Sequence, residues 1–249
     1  MFLRSLKRNA KLLLASCVCL IGCAPLDYSS ISKNGRFEGR LFVMWIGEGS
    51  PYLGDGNFVF VPNPNDPLRF TRYDAAGNQV GETIRPELMY TDGGSIPKLA
   101  SAFRGFSPWG YAPAYMIHDW LFIAHHCLVD GVPTEEEAKM SDLTFRDSAV
   151  IIAESIKALQ VSGQVSRNDI AASTISSTVA GPISSALWNR NGACEGHRVS
   201  EEHRIAALAA FPDGIRADAG DVGLDPDLPI PDGGLIIGPK ATVIGEFGF

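Results

Sequence analysis

The fold is decided by residues 112–160, which read APAYMIHDWLFIAHHCLVDGVPTEEEAKMSDLTFRDSAVIIAESIKALQ. Apolar residues recur along this stretch at the spacing of amphipathic helices. Thr134 followed by Glu137 is a capping-box pattern, which marks the start of a second helix. The connecting segment 128–133 is short, so the stretch predicts an antiparallel hairpin of helices over 112–127 and 134–160.

A carboxylate interrupts the apolar face of the second predicted helix. That face runs through Ala138, Asp142, Phe145, Ala149, Ile152, Ile156 and Leu159. A buried aspartate without a partner is costly, so the pattern predicts a partner for Asp142 on the facing helix. His118, followed by Asp119, lies at the edge of the facing apolar stripe. We therefore expect His118 to meet Asp142 across the hairpin.

The residues before the hairpin read as strands. Apolar and alternating segments occur at 37–46, 57–61, 68–73 and 79–84, with turn residues between them. A third helix is predicted over 167–188, broken at Gly181-Pro182. Strands first and helices after predict an α+β domain, with a small antiparallel meander followed by a helical hairpin and a further helix.

The N-terminal residues have the features of an export signal. A basic start is followed by a mostly apolar run over 12–22 that is too short to span a bilayer. The run closes on Leu20-Ile21-Gly22-Cys23, which resembles a bacterial lipobox, in which the cysteine is diacylated and becomes the mature N-terminus. An ordinary secretory signal with a coincidental cysteine is the alternative.

The lipobox resemblance implies a lipoprotein of the cell envelope, anchored to the membrane through Cys23. Residues 1–22 would be the signal peptide and residues 23–34 a tether to a domain over 35–198. Ala24 follows the cysteine where inner-membrane lipoproteins often have Asp, which favours the outer membrane, facing the periplasm.

The charge of the chain argues against a nucleic-acid partner. Removing residues 1–22 takes four basic and no acidic residues from a chain of formal charge −7, which leaves −11. Such an acidic domain repels phosphate backbones. After processing, Cys127 and Cys194 remain, and they form either one disulfide or two separate buried thiols.

The C-terminal residues differ in composition from the rest of the chain. Residues 212–249 contain five Pro, eight Gly and seven acidic residues. This composition predicts that residues 199–249 form an acidic, flexible tail whose partner the sequence does not identify. Its apolar patches, 235–237 and Val243-Ile244, offer an alternative, which is docking onto the domain or a partner.

Three ordered motifs resemble the domain-of-unknown-function 1353 family of bacteria and phages. They are Thr91-Asp92-Gly93-Gly94-Ser95-Ile96-Pro97, then Ala114-Tyr115-Met116-Ile117-His118-Asp119-Trp120-Leu121, then Asp142-x-x-Phe145. The resemblance covers about residues 35–160. It implies a domain type and almost nothing about activity.

A looser likeness concerns the His-Asp helix pair of secreted phospholipases A2. It implies His118 as a general base, Asp142 as the carboxylate that orients it, and Asp119 as a Ca²⁺ ligand. Asp92 would be a second metal ligand, and Gly93 and Gly94 would supply loop carbonyls. Leu121 stands where that motif has a cysteine, and the disulfide framework is absent.

Two functions follow from these residues. The first is metal-assisted hydrolysis of a lipid or another ester at His118. The second is a non-catalytic binding or structural lipoprotein of phage or prophage origin, in which the same side chains form a buried network that fixes helix register. For Asp92, a turn that shapes Gly93-Gly94 is the alternative to metal binding.

Overall fold

The computed structural model of the protein describes residues 26–47, 56–91, 108–166, 169–211 and 239–249. Antiparallel sheets and helices occur together, which confirms the α+β class. The strands are β1 Arg36–Glu38, β2 Arg40–Gly47, β3 Asn57–Pro62, β4 Arg69–Thr71, β5 Met89–Thr91 and β6 Lys240–Gly248. The helices are α1 Ala112–Asp130, α2 Glu135–Ala138, α3 Phe145–Val161, α4 Asp169–Val179, α5 Pro182–Trp188, α6 Cys194–His197 and α7 Glu201–Ala209. None of these helices combines the length and apolarity needed to cross a membrane.

β2 is an inner strand of the larger sheet. The four-stranded antiparallel sheet has the order β5-β3-β2-β6, and β1 pairs with β4 in a separate two-stranded sheet. Side chains alternate between the two faces of a strand, and both faces of β2 are covered. Leu41 belongs to the same buried cluster as Trp120 of α1, whereas Phe42 belongs to the cluster of Leu208 of α7. Cover on both sides explains the continuous apolar run of residues 41–46.

Gly39 divides the first predicted strand into β1 and β2. Its φ of +84° is a conformation that residues with a side chain rarely adopt. A Cβ atom at this position would also collide with the carbonyl oxygen of Pro67. The backbone therefore turns sharply here, and the two halves of the predicted strand join different sheets.

The helical hairpin is present, but its second half is not one helix. α1 ends at Gly131, whose φ is +78°. α2 stops at Ala138, and α3 begins only after Thr144. The Thr144 hydroxyl accepts a hydrogen bond from the backbone N–H of Asp147 (3.2 Å), and the Asp147 carboxylate accepts one from Thr144 N–H (2.9 Å). This second capping box starts a new helix, so the prediction of one helix over 134–160 was wrong.

Asp142 does not lie on the buried helical face that was predicted for it. Asp142 lies in the turn between α2 and α3, and both Asp142 and Ala138 are exposed. The apolar face holds from Ala149 onward, because Ile152, Ile156 and Leu159 are buried as predicted. A capped helix start at residue 145 removes residue 142 from that face, so the predicted burial of Asp142 was wrong.

The predicted flexible tail over 199–249 was also wrong where the structure describes it. Ser200 accepts a hydrogen bond from His203 N–H (3.4 Å) and caps α7. β6 pairs antiparallel with β2 along its length, from Arg40 opposite Gly248 to Gly47 opposite Lys240. Val243 packs against the core cluster under α7, which confirms the docking alternative for that apolar patch. The other patch, residues 235–237, lies outside the described residues.

Candidate functional site

A cavity of about 430 Å³ opens beside α1. Its walls come from α1, the end of β5, the C-terminal residue of α4, α5 and α6. Among the described residues, the lining mixes apolar side chains with imidazoles, one arginine and one aspartate. Concave sites with apolar walls and a few polar groups are where proteins ordinarily bind small molecules. This cavity is therefore the candidate functional site.

One face of α1 forms one wall of the cavity. His118, Phe122 and His126 are spaced at i, i+4 and i+8, and all three line it. The Phe122 ring lies between the two imidazoles, with ring centroids 4.9 Å from His118 and 6.4 Å from His126. His125 points elsewhere and stacks on Trp188, with ring centroids 4.0 Å apart.

His118 has one engaged and one unengaged ring nitrogen. The residue is only 5 % exposed, and its Nδ1 lies 3.3 Å from Oδ1 of Asp119. A carboxylate only accepts, so this contact places the ring proton on Nδ1. Nε2 is buried and has no hydrogen-bond partner among the described residues. A buried unpaired acceptor is costly unless water or a ligand meets it. Because His118 lines the cavity, a ligand bound there is one way to supply the missing partner.

A second histidine pair lies further along the same wall. Nδ1 of His126 is 2.9 Å from Nε2 of His197, and Nε2 of His126 is 2.9 Å from the carbonyl oxygen of Leu187. The carbonyl only accepts, so His126 donates through Nε2, and in the neutral pair His197 donates to Nδ1 of His126. Burial, followed by the neighbouring His126, lowers the pKa of His197.

α6 is fixed to the end of α1, and this places His197. Cys127 and Cys194 form a disulfide, which decides between the two alternatives left by the sequence. The Asp130 carboxylate accepts hydrogen bonds from the N–H groups of Gly192 (2.7 Å) and Cys194 (2.9 Å). These backbone hydrogen bonds lower the pKa of Asp130. A disulfide and hydrogen bonds thus attach α6 to α1, the helix that carries His126.

The structure separates the predicted pair His118 and Asp142. Asp142 lines a second, smaller cavity of about 160 Å³, together with Arg72 and Lys139, and His118 does not line that cavity. The carboxylate that reaches the His118 imidazole is Asp119, its neighbour in the chain. The prediction that Asp142 orients His118 was therefore wrong in its geometry, because the helix expected to carry Asp142 toward α1 ends before it.

Four predicted residues lie outside the described residues: Cys23, Asp92, Gly93 and Gly94. β5 ends at Thr91, which lines the cavity and directly precedes Asp92 in the chain.

The described residues do not by themselves fit a calcium site. Ca²⁺ takes six to eight oxygen ligands, whereas the described lining of the cavity offers one carboxylate, Asp119, among imidazoles. No group of three or more His, Cys, Asp or Glu side chains within the described ranges is arranged to hold a metal ion. The calcium prediction depends on Asp92 and the carbonyls of Gly93 and Gly94, and it stays a prediction.

Sequence reasoning missed three of the charged or imidazole side chains of the described lining: His126, His197 and Arg190. His126 has a recognisable signal, because it repeats the i, i+4 spacing of His118 and Phe122. His197 lies three residues after Cys194, and His126 directly precedes Cys127, so a paired disulfide predicts that the two imidazoles are close. Arg190 lies in a polar segment without a pattern that distinguishes it.

Comparison with protein-family models, with curated proteins and with solved structures finds no match for this chain.

Proposed function

We propose that this protein is a hydrolase of the cell envelope, anchored to the membrane by lipid on Cys23, that cleaves a lipid or another ester with His118 as general base. The observation that carries the proposal is that His118 lines the cavity and that its Nε2 is buried without a partner among the described residues. Its other nitrogen contacts a carboxylate. This is the arrangement that a neutral imidazole needs to accept a proton from water.

In the reaction, Nε2 of His118 takes a proton from water while the water oxygen bonds to the ester carbonyl carbon. The carbon–oxygen bond to the alcohol then breaks, and the imidazolium gives its proton to the leaving alkoxide. The products are a carboxylic acid and an alcohol. Asp119 holds Nδ1–H and stabilises the imidazolium while it is charged, which is the role that the sequence analysis gave to Asp142.

A lipid substrate agrees with the apolar walls of the cavity. Phe122, Ile123, Val179 and Leu187 all contribute to the lining. A cavity of this size and polarity suits an acyl chain better than a polar sugar or peptide. The lipobox-like sequence before Cys23 supports a position at a membrane surface, where such substrates are abundant.

The non-catalytic alternative is less well supported by the contacts. A network that fixes helix register requires hydrogen bonds between the two helices of the hairpin. His118 instead bonds within its own helix, its Nε2 has no partner in the part of the chain that the structure describes, and Asp142 is exposed. A purely structural histidine gains nothing from an unsatisfied buried nitrogen.

The test is fatty-acid release from mixed phospholipid vesicles by the full chain, with added Ca²⁺ or with chelator. His118→Gln keeps the shape of the side chain and removes the base, and we expect it to lower the rate by about 100-fold or more. Asp119→Asn should lower it less, because the imidazole remains. His125→Gln is the matched control, since it makes the same change on the same helix outside the cavity lining.

Thermal unfolding of each variant separates catalysis from stability. Loss of release in His118→Gln with an unchanged melting temperature supports the base. An equal loss in His125→Gln, or no release by the folded wild-type chain in either condition, rejects lipid hydrolysis. Release that stops with chelator supports the predicted metal. Anchoring is checked separately by palmitate labelling, which Cys23→Ser should abolish.

A further inference from the structure

The described lining of the cavity is formally neutral, because one arginine balances one aspartate, whereas the whole protein is acidic. The chain has a formal charge of −7. The described lining of the cavity, however, contains a single acidic side chain, Asp119, and that carboxylate is engaged by His118. The same lining contains a cationic residue, Arg190. A cationic group in an acidic protein draws attention to the ligand it could bind.

Arg190 is held at the cavity by its backbone while its side chain is left available. Its N–H donates to the carbonyl oxygen of Leu187 (3.2 Å), the same oxygen that accepts from His126. The residue is exposed, and no carboxylate among the described residues forms an ion pair with it. The carboxylate of Asp130 accepts hydrogen bonds from the N–H groups of Gly192 and Cys194, in the segment that follows Arg190.

An unpaired guanidinium matches anions with several oxygens. Arginine offers parallel N–H donors that fit phosphate and carboxylate groups in a bidentate manner. This donor geometry favours an anionic ligand over a neutral or cationic one.

The rest of the lining selects for a chain attached to that anion. Phe122, Ile123 and Val179 present apolar surface in the same cavity as Arg190. A free anion such as inorganic phosphate leaves this surface unused, whereas an amphiphile covers it and gains the free energy of apolar burial.

We propose that the cavity recognises anionic amphiphiles, with the anionic group on Arg190 and the hydrocarbon chain against the apolar wall. This names the substrate class of the proposed hydrolase, which becomes an ester of an anionic lipid. The inference rests on the proposed function for the reaction, but the binding step does not require catalysis. Binding and hydrolysis can therefore fail independently.

The test is to titrate the full chain with hexyl phosphate, with hexanol and with inorganic phosphate, and to measure binding by calorimetry. Hexyl phosphate has both an anionic group and a hydrocarbon chain. Because it has no ester carbonyl, it reports binding alone. We expect it to bind more tightly than either of the other two probes. Arg190→Gln should weaken its binding by about tenfold, and Arg190→Lys by less, because the charge remains and the bidentate fork is lost.

Arg146→Gln is the matched control, because Arg146 is an exposed arginine on α3 that does not line the cavity. Equal weakening by Arg146→Gln would mean that net charge alone matters, and this overturns the proposal. Unchanged binding in Arg190→Gln also overturns it. If inorganic phosphate binds as tightly as hexyl phosphate, the hydrocarbon chain contributes nothing to binding. That result overturns the proposal of an amphiphilic ligand and indicates a site for free anions.

The outcomes separate this inference from the proposed function. Hexyl phosphate binding that depends on Arg190 supports the inference even if no ester is cleaved. Ester cleavage that depends on His118 but is equal for anionic and neutral lipids, and is unchanged in Arg190→Gln, rejects the inference and leaves the hydrolase standing.

Discussion

The guanidinium of Arg198 donates two hydrogen bonds to the carboxylate of Glu137, with Nη1 to Oε1 at 2.6 Å and Nη2 to Oε2 at 2.8 Å. The Glu137 side chain is 1 % exposed. Oε2 also accepts a hydrogen bond from Thr134 N–H (2.8 Å), so the residue that closes the capping box of α2 also binds the residue after α6. One buried carboxylate thus joins the hairpin loop to the segment that carries His197.

Removing Arg198 should be strongly destabilising. Arg198→Ala leaves the buried Glu137 charge unpaired, and we expect a loss of about 3 kcal/mol in the free energy of unfolding, measured by urea denaturation. Lys139→Ala removes an exposed pair with Glu136 and should cost no more than about 0.5 kcal/mol. Comparable losses in the free energy of unfolding would show that the burial of Glu137 does not set the cost of removing its partner.

Asp142→Ala should have little effect on either stability or activity. The residue is exposed, in a turn, and lines a different cavity from His118. We expect a change within about 0.5 kcal/mol in urea denaturation and an unchanged rate of ester hydrolysis. A large loss of activity with normal stability would restore Asp142 to the site.

Stability should fall as the pH is lowered from 7.5 to 5. Burial lowers the pKa of His197, with further lowering by His126 and Arg198 that Asp119 and Glu137 oppose. The native state therefore binds fewer protons than the unfolded state. The stabilisation is complete above the unfolded-state pKa and is lost as the pH falls through and below that value.

The measurement is urea denaturation across that pH range for the wild type and His197→Gln. The variant should show a shallower dependence on pH. A residual slope should persist, because burial also lowers the pKa of His125 and His203. Identical slopes in the two proteins would show that His197 is not responsible.

The strand β6 should be required for a stable sheet. Val243 faces the core cluster, whereas its neighbour Ile244 is 41 % exposed. Val243→Asp should lower the free energy of unfolding by about 2 kcal/mol, and Ile244→Asp should change it by no more than about 0.5 kcal/mol. Deleting residues 240–249 should uncover an edge of β2 and cause aggregation, detected by light scattering. Equal losses of stability from the two substitutions would show that Val243 does not pack against the core.

Local signals predicted most of the helical part of the fold. Pro182 begins α5 where the break at Gly181-Pro182 was expected, because proline has no N–H to donate and favours the first turn of a helix. The break before Thr144 has an equally local signal in Thr144-x-x-Asp147, but the apolar periodicity on both sides conceals it. Periodicity describes a face and does not show whether the helix is continuous.

Long-range contacts account for what the sequence could not predict. β6 lies in a segment rich in Gly and acidic residues, and it is stabilised by pairing with β2 rather than by its own composition. The candidate base was identified by the motif at His118, but its orienting carboxylate was sought across the hairpin rather than at the adjacent Asp119. Arg190 reaches the cavity through the turn after α5, and His197 reaches it through the disulfide, whose pairing the sequence left open.

The pairing of β2 with β6 also determines when the molecule can be completed during synthesis. The hairpin of α1 and α3 forms from neighbouring segments, so it can assemble early. β2 has its partner β3 nearby but must wait for residues 240–248 before its other edge is covered. Until then a strand with buried, apolar side chains presents unpaired backbone groups to other chains. A nascent chain is thus exposed to association with its copies at this edge until β6 is in place.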